Sequence, residues 1–288
     1  MRILLLGAKG NLGTAFKQHT FHNKEVTVIG WDKEEIDVTD YVLLEKKIAE
    51  LKPDVIINTV GYSNVDECEQ NEAAAAQAKL LNETTVSSLA DIALEYGCIL
   101  VHYSSDYVFA GKTKSRYDEQ AEPSPLNVYG ETKQAGELAL QRLSGRGLKW
   151  YLIRTARLFG PAGQDAHAKP NFFEKISREA KDHQEVQVVK DERGSFTYTP
   201  DLVAATESLL ESDQGFGIYH FVNEGSVSWF EAASYFFKKA DIPATVIPIL
   251  GSELPRPAKR PLNSTLRNTK RPPLRTWQAA VDEYVKTL

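Results

Sequence analysis

Arg2-Ile3-Leu4-Leu5-Leu6-Gly7-Ala8-Lys9-Gly10-Asn11-Leu12-Gly13 is the stretch on which the fold turns. Its apolar opening reads as a buried strand, and the spaced glycines read as a tight strand-to-helix turn. Such a turn needs residues without Cβ so that the backbone can approach a pyrophosphate. The helix behind it, Asn11–His19, offers unpaired N–H groups and a partial positive charge to phosphates. Gly7, Lys9, Gly10, Asn11, Leu12 and Gly13 are therefore expected to bind a dinucleotide. A glycine triplet alone is weak evidence, but directly after a strand it becomes much stronger.

Working outward, short apolar runs alternate with longer helical patterns. Val26–Ile29, Val55–Asn58, Ile99–Tyr103 and Tyr151–Arg154 read as buried parallel strands. Val42–Leu51, Glu69–Tyr96 and Val128–Leu143 read as the helices between them. This alternation predicts an α/β fold, a doubly wound parallel sheet of Rossmann type. Past Arg154 the rhythm loosens: Phe172–Lys181, Asp201–Glu211 and Trp229–Lys239 read as helices, Val186–Val189 and Gly217–Val222 as strands. The proline-rich Pro255–Pro273 excludes regular helix. The expected division is an NAD(P)-binding domain of residues 1–154 plus about 187–214. A smaller C-terminal substrate lobe is expected from about 155–186 plus 215–288.

Asp32 follows the second strand about 20 residues past Gly13, where a carboxylate accepts hydrogen bonds from the adenosine ribose and repels a 2′-phosphate. That leans toward NADH, with NADPH left open by Lys9 and Lys33 nearby. Asp37 and Val38 lie in the next loop, and Val60, Gly61 and Tyr62 leave the third strand on the side where ligands of such sheets gather.

Tyr129 and Lys133 are four apart in a helical segment and share one face. A lysine ammonium beside a phenol favours the phenolate, so the tyrosine is expected to exchange a proton with a carbonyl oxygen near neutral pH. Tyr235 and Lys239 have the same spacing, in a segment with no other sign of chemistry. Upstream of Tyr129, by contrast, a strand ends in Ser104-Ser105-Asp106. A hydroxyl at that strand end can hold a substrate oxygen beside the phenol. Ser105, Tyr129 and Lys133 form the expected catalytic set, with Ser104 beside the coenzyme.

The totals narrow the class. The chain has 288 residues, 42% hydrophobic and 25% charged, with a formal net charge of −5, which speaks against a general nucleic-acid binder. No apolar run reaches the roughly 18 residues of a membrane span, and the opening apolar stretch is too short for a signal peptide. Cys68 and Cys98 are the only cysteines and suit a reducing compartment, so a cytoplasmic enzyme is expected. The six histidines show no ligand spacing, and no metal is expected.

Ser104-Ser105-Asp106-Tyr107-Val108-Phe109 and Pro125-Leu126-Asn127-Val128-Tyr129-Gly130-Glu131-Thr132-Lys133 resemble the dTDP-4-dehydrorhamnose reductase family of extended short-chain dehydrogenase/reductases. The likeness runs nearly end to end and includes Asn58–Glu69, Arg154-Thr155, Ser228-Trp229 and Pro257–Ser264. It implies reduction of the 4-keto group of a nucleoside-diphosphate 6-deoxyhexulose, with dTDP-4-dehydro-L-rhamnose as the leading substrate. Tyr129 would then be the general acid assisted by Lys133, and Ser105 would stand where threonine is usual. Ser105 and Asp106 would face the sugar. The alternatives are another nucleotide-sugar epimerase or dehydratase, or a non-catalytic nucleotide-binding regulatory subunit. Asp106 is followed by Tyr107 rather than a second acid, which speaks against a dehydratase.

Between Pro255 and Arg275 lie seven basic residues and no acidic one. Arginine forks suit a diphosphate, and Arg256 and Arg260 are the expected pair. Asn171, Phe172 and Trp229 are further pocket candidates. Arg157 stands where the family commonly has a tryptophan that touches the sugar, so Arg157 is expected in the substrate pocket. Gly194-Ser195-Phe196-Thr197 replaces a usual Gly-x-Pro-Thr, and the helix before Asn82 is a few residues longer than usual. Ala15 stands where some members carry a metal-binding glutamate, so a metal-bridged dimer is not expected. The chain is expected to be a monomer or homodimer that binds neither nucleic acid nor membrane.

Overall fold

The computed structural model describes residues 1–164 and 169–288. β1 (Arg2–Leu6) leads through α1 (Asn11–Gln18) to β2 (Thr27–Trp31), and α2 (Tyr41–Leu51) leads to β3 (Val55–Asn58). Three helices, α3 (Val65–Gln70), α4 (Glu72–Lys79) and α5 (Thr85–Tyr96), then reach β4 (Ile99–Ser105). α6 (Val128–Ser144) and β5 (Lys149–Thr155) close the first half. The second half runs β6 (Leu158–Phe159), α7 (Phe172–Asp182), β7 (Glu185–Val189), β8 (Arg193–Gly194), β9 (Thr197–Tyr198) and α8 (Thr199–Leu210). It ends with β10 (Gly217–His220), β11 (Val227–Ser228), α9 (Trp229–Lys239), β12 (Thr245–Ile249) and α10 (Trp277–Val285).

The main sheet has six parallel strands in the order β10-β5-β4-β3-β1-β2. β3 is buried along its whole length and β1 along all but Arg2, as strands covered by helices on both faces must be. One face packs on α2, α5 and α6 through Leu44, Leu89 and Leu140, and the other on α1 and α8 through Phe16, Leu202 and Val203. The strand order reverses beside β1, and the crevice beyond the carboxyl ends there is where such sheets bind ligands. A separate aromatic core, including Phe159, Phe173, Phe196, Phe236 and Tyr284, fills the smaller lobe.

The strand pairings depart from the expected division at two places. β10 was expected in the lobe, yet it extends the main sheet by pairing with β5 from Gly217↔Tyr151 to His220↔Arg154. β7 was expected with the main sheet, yet it pairs with β12 in the lobe. α8, between them, packs on the main sheet as expected. Short apolar runs of this kind identify a strand but not its neighbour.

The expected single helix Glu69–Tyr96 is broken. Asn71 caps α4 by accepting from the Ala73 and Ala74 N–H groups, which ends α3 just before it. A π-helical stretch, Leu80–Thr84, then joins α4 to α5. Such a bulge accommodates extra length inside a helical run and is frequent near functional sites. It carries Asn82 into the interior, where the side chain exchanges two hydrogen bonds with the Tyr62 backbone (2.9 and 3.0 Å) and donates to Thr132 Oγ1 (3.0 Å). The loop after β3 is thereby tied to α6.

Candidate active site

The glycine turn has the geometry its sequence predicts. Gly7 adopts φ +78°, and a Cβ on Gly13 would lie 2.1 Å from the Gly7 carbonyl oxygen, so both positions exclude a side chain. A Cβ on Gly10 would meet only that oxygen, at 3.4 Å. Gly10 is the N-cap of α1, and among the described residues no side chain caps it. The turn thus presents open space and uncapped N–H groups, the arrangement a pyrophosphate fits.

Asp32 braces this turn. Its carboxylate accepts from the Lys9 N–H (2.8 Å) and the Lys33 N–H (2.9 Å), while the Lys9 ammonium pairs with Glu34 at 2.7 Å. Asp37 accepts from the Thr39 N–H and hydroxyl, and those bonds hold its carboxyl below the ordinary value. Val38 packs on the sheet core. Asn11 is engaged in the segment after β6: it accepts from Gly163 N–H (2.9 Å) and donates to the Lys169 carbonyl (3.0 Å). Gln164 N–H also donates to the Lys9 carbonyl at 2.8 Å. Gly163, Gln164 and Lys169 thus dock on the glycine turn.

The catalytic candidates meet where β4 ends against α6. Ser105 opens a 3-10 turn, Asp106–Val108, and its hydroxyl accepts from the Tyr107 N–H (3.2 Å) and donates to Asp106 Oδ1 (3.2 Å). Asn127 caps α6 and starts the helix that carries Tyr129 and Lys133. The Tyr129 ring sits edge-on to Tyr107, with centroids 5.9 Å apart. Burial raises the Tyr129 phenol above its ordinary pKa, and the Ser105 hydroxyl opposes that rise. The lowering expected from Lys133 is not found among the groups that act on the phenol, and burial leaves it protonated at neutral pH. That is the form a general acid needs.

Lys133 points into the sheet. Its Nζ donates to the Tyr103 carbonyl at 2.6 Å and lies 3.4 Å from His102 Nε2. Burial brings Lys133 down to about 8, with Glu137 opposing. His102 is fully buried and its Nδ1 lies 3.2 Å from Asn58 Nδ2. Burial, then the Lys133 charge, hold this imidazole well below its ordinary value, and so neutral. The contact of His102 with Lys133 comes from adjacent elements and has no local signature in the sequence.

Ser104 faces the other way. Its hydroxyl donates to Glu137 Oε1 at 2.5 Å, and Glu137 grips Arg154 at 3.0 and 2.6 Å. The side chain expected beside the coenzyme is thus part of a buried brace between β4, β5 and α6. Val60 donates its N–H to Asn58 Oδ1, Gly61 lies against Asn82 and Lys133, and Tyr62 donates its hydroxyl to Glu67.

Across the crevice, a cavity of about 530 Å³ is lined by Leu126, Glu192, Leu254, Arg256, Lys259 and Arg260, among others. Both expected arginines hold a carboxylate: Arg256 pairs with Glu192, and Arg260 reaches Asp66 at 2.6 Å while lying 5.8 Å from the Tyr107 ring. Asp106 is buried, accepts from Ser264 Oγ at 2.5 Å, and has its carboxyl raised by that burial, with Ser264 and Arg157 opposing.

Arg157 adopts φ +44°, a region that side-chain-bearing residues avoid. Its guanidinium stacks 3.9 Å from the Trp229 ring and donates to the carbonyls of Val227 (3.1 Å) and Glu192 (3.2 Å). Its Nε is buried and has no hydrogen-bond partner among the described residues. Gly194 makes room for it, since a Cβ there would fall 2.8 Å from the guanidinium carbon. Phe172 packs on Trp229 with ring centroids 4.7 Å apart. Asn171 serves α7 instead: its side chain forms a capping box with Glu174 and donates to the Gly160 carbonyl and the Tyr284 hydroxyl. The Asn-x-x-Glu spacing is itself a cap signature, so this role was readable.

The RmlD substrate binding domain family matches the chain across residues 1–288. The dTDP-4-dehydrorhamnose reductase of Aggregatibacter actinomycetemcomitans is 34% identical over 281 residues, covering 93% of this chain and 91% of that one. A probable dTDP-4,6-dihydroxy-2-methyloxan-3-one 4-ketoreductase of Streptomyces antibioticus is 35% identical over 291 residues, covering 98% and 94%. The solved structure of dTDP-4-dehydrorhamnose reductase from Bacillus anthracis, in complex with NADP, superposes with a TM-score of 0.91. It is 29% identical and covers 100% of this chain and 99% of its own.

Proposed function

The chain belongs to the RmlD substrate binding domain family, and we propose that it reduces the 4-keto group of a dTDP-linked 6-deoxyhexulose, with dTDP-4-dehydro-L-rhamnose the leading substrate. The observation that carries this is the buried Tyr129 beside the Ser105 hydroxyl, its ring edge-on to Tyr107, which in turn lies 5.8 Å from Arg260 of the basic cavity. The enzyme is a nicotinamide-dependent oxidoreductase, and it acts in the cytoplasm.

Gly10, with the uncapped N–H groups of α1, would hold the coenzyme pyrophosphate, and the reduced nicotinamide supplies the hydride. Ser105 and Tyr129 hold the substrate carbonyl oxygen between two hydroxyls. Tyr129 gives its phenolic proton to that oxygen as negative charge develops there. Lys133, held by the Tyr103 carbonyl, stabilises the phenolate that remains. Arg256 and Arg260 exchange their carboxylate partners for the diphosphate, and Arg157 faces the sugar with Trp229 beneath it. NADPH is the favoured coenzyme, a revision of the lean toward NADH. Asp32 already accepts from two backbone N–H groups, and the similar Bacillus anthracis reductase was solved in complex with NADP.

The test is decay of NADPH absorbance with enzymatically generated dTDP-4-dehydro-L-rhamnose, run beside Tyr129→Phe. Turnover that falls roughly 10²–10⁴-fold in the variant, with coenzyme binding kept, supports the reading. Turnover unaffected by the substitution, or absent with every dTDP-4-keto sugar, overturns it.

A further inference from the structure

On the far side of α1 from the glycine turn, imidazoles and carboxylates converge. His19, just past α1, places Nε2 2.7 Å from Glu207 Oε2, and His22 places Nδ1 3.0 Å from the same oxygen. The other oxygen, Oε1, accepts from the His22 N–H at 2.6 Å. Glu211 follows one turn after Glu207 along α8, so the two carboxylates share a face. Ligand atoms of His22, Glu207 and Glu211 all lie within 4.8 Å of one another. Glu207 is 1% exposed, whereas His22 and Glu211 stand at the surface.

We infer that His22, Glu207 and Glu211 form a binding site for a divalent transition metal of the zinc class, with His19 orienting Glu207. The donor set decides the metal class: imidazole nitrogen with carboxylate oxygen suits zinc, cobalt or nickel, whereas calcium and magnesium take oxygen ligands. Zinc bonds of roughly 2.0–2.2 Å set tetrahedral ligand atoms about 3.3 Å apart. The present His22–Glu207 separation of 3.0 Å needs to open by only a few tenths of an ångström. The surface side leaves a fourth position for water. To bind through Nδ1, neutral His22 takes the tautomer with its hydrogen on the exposed Nε2, so the ring keeps its hydrogen and Glu207 Oε2 turns from His22 to the metal.

The site has no part in the reduction proposed above and stands or falls without it. Bound metal would tie the carboxyl end of α1, the helix that opens at the glycine turn, to α8. Sequence spacing could not expose the cluster, because Glu207 lies 185 residues from His22.

The test uses the full, untagged chain, stripped with chelator and titrated with zinc chloride by calorimetry and thermal melting. One equivalent should bind, and zinc at a hundredfold excess over its Kd should raise Tm by about 5 °C. His22→Ala and Glu211→Gln should each weaken zinc at least about tenfold while leaving the metal-free Tm in place. The His22 side chain is 81% exposed, so its removal costs the fold little. Absence of saturable binding overturns the inference. So does undiminished binding in His22→Ala, which would send the metal to Cys68, Cys98 or another surface group.

Discussion

Lys133 Nζ lies 3.4 Å from His102 Nε2, and the imidazole is oriented so that its proton faces the lysine. The orientation follows from Asn58. The Val60 N–H donates to Asn58 Oδ1, so the amide nitrogen is the group facing His102 Nδ1 and must donate to it. Nδ1 is then the acceptor and Nε2 carries the hydrogen. A protonated Lys133 therefore faces a second donor, and a neutral one faces a donor it can accept from. The histidine thus acts with burial, and against Glu137, to weaken the ammonium.

This relation has a sign that a pH profile reads. Lys133 supports the Tyr129 phenolate as an ammonium, so turnover should fall as pH rises through about 8. His102→Gln offers a carbonyl oxygen to Lys133, which favours the ammonium and should move that fall upward by about one pH unit. Phosphate-free buffers and kcat/KM from pH 6 to 10 suffice. An alkaline limb that stays in place would remove His102 from the control of Lys133.

Gly10→Ala separates coenzyme approach from folding. An added Cβ meets only the Gly7 carbonyl oxygen at 3.4 Å, so Tm should stay within about 1 °C of the parent. It does fill the space a pyrophosphate needs, so the coenzyme Kd should rise at least about tenfold by fluorescence titration. Gly13→Ala is the contrast: its Cβ collides with backbone, and it should lower Tm by several degrees. Equal coenzyme affinity in Gly10→Ala would place the phosphates elsewhere.

How much of this was readable follows from where the partners sit in the chain. Gly7–Gly13 and Tyr129/Lys133 are local patterns whose geometry a strand end or a helix turn enforces, and the structure keeps both. The exchange of β7 and β10 between sheets was not readable, because strand composition does not record which edge is free. Asn82, Glu192 and Asp66 were also hidden. Each acts on a residue more than a dozen positions away, across elements whose packing no window of sequence contains. Asn171 is the opposite case: its role is local, because the Asn-x-x-Glu spacing that caps α7 lies within four consecutive residues.

Arg157 joins strain, a stacked cation and a buried Nε that has no partner among the described residues, a combination that marks a functional position more than a structural one. Arg157→Ala should raise KM for the keto sugar by about 10–100-fold, the worth of a hydrogen bond from a charged group. The coenzyme KM should not move, and kcat should stay within about threefold. Gly194→Ala should act in the same direction by displacing the guanidinium. A KM for the sugar that is unchanged in both variants would confine Arg157 to packing between β8 and α9.

The Glu137–Arg154 pair should dominate the stability of the main sheet. Each side chain is 1% exposed, and the carboxylate grips the guanidinium at 3.0 and 2.6 Å while also accepting from Ser104. Removing one partner leaves the other charge buried and uncompensated, which costs about 3–5 kcal/mol. Glu137→Ala should therefore lower Tm by roughly 10 °C or more. Glu137→Leu combined with Arg154→Met removes both charges and keeps the volume, so it should recover most of that loss. Because Arg154 also lies 5.0 Å from the Phe109 ring and 3.5 Å from His220 Nε2, the recovery should fall short of complete. Thermal melts of the three proteins at neutral pH decide it: a double variant no better than Glu137→Ala would mean the pair acts through packing rather than charge.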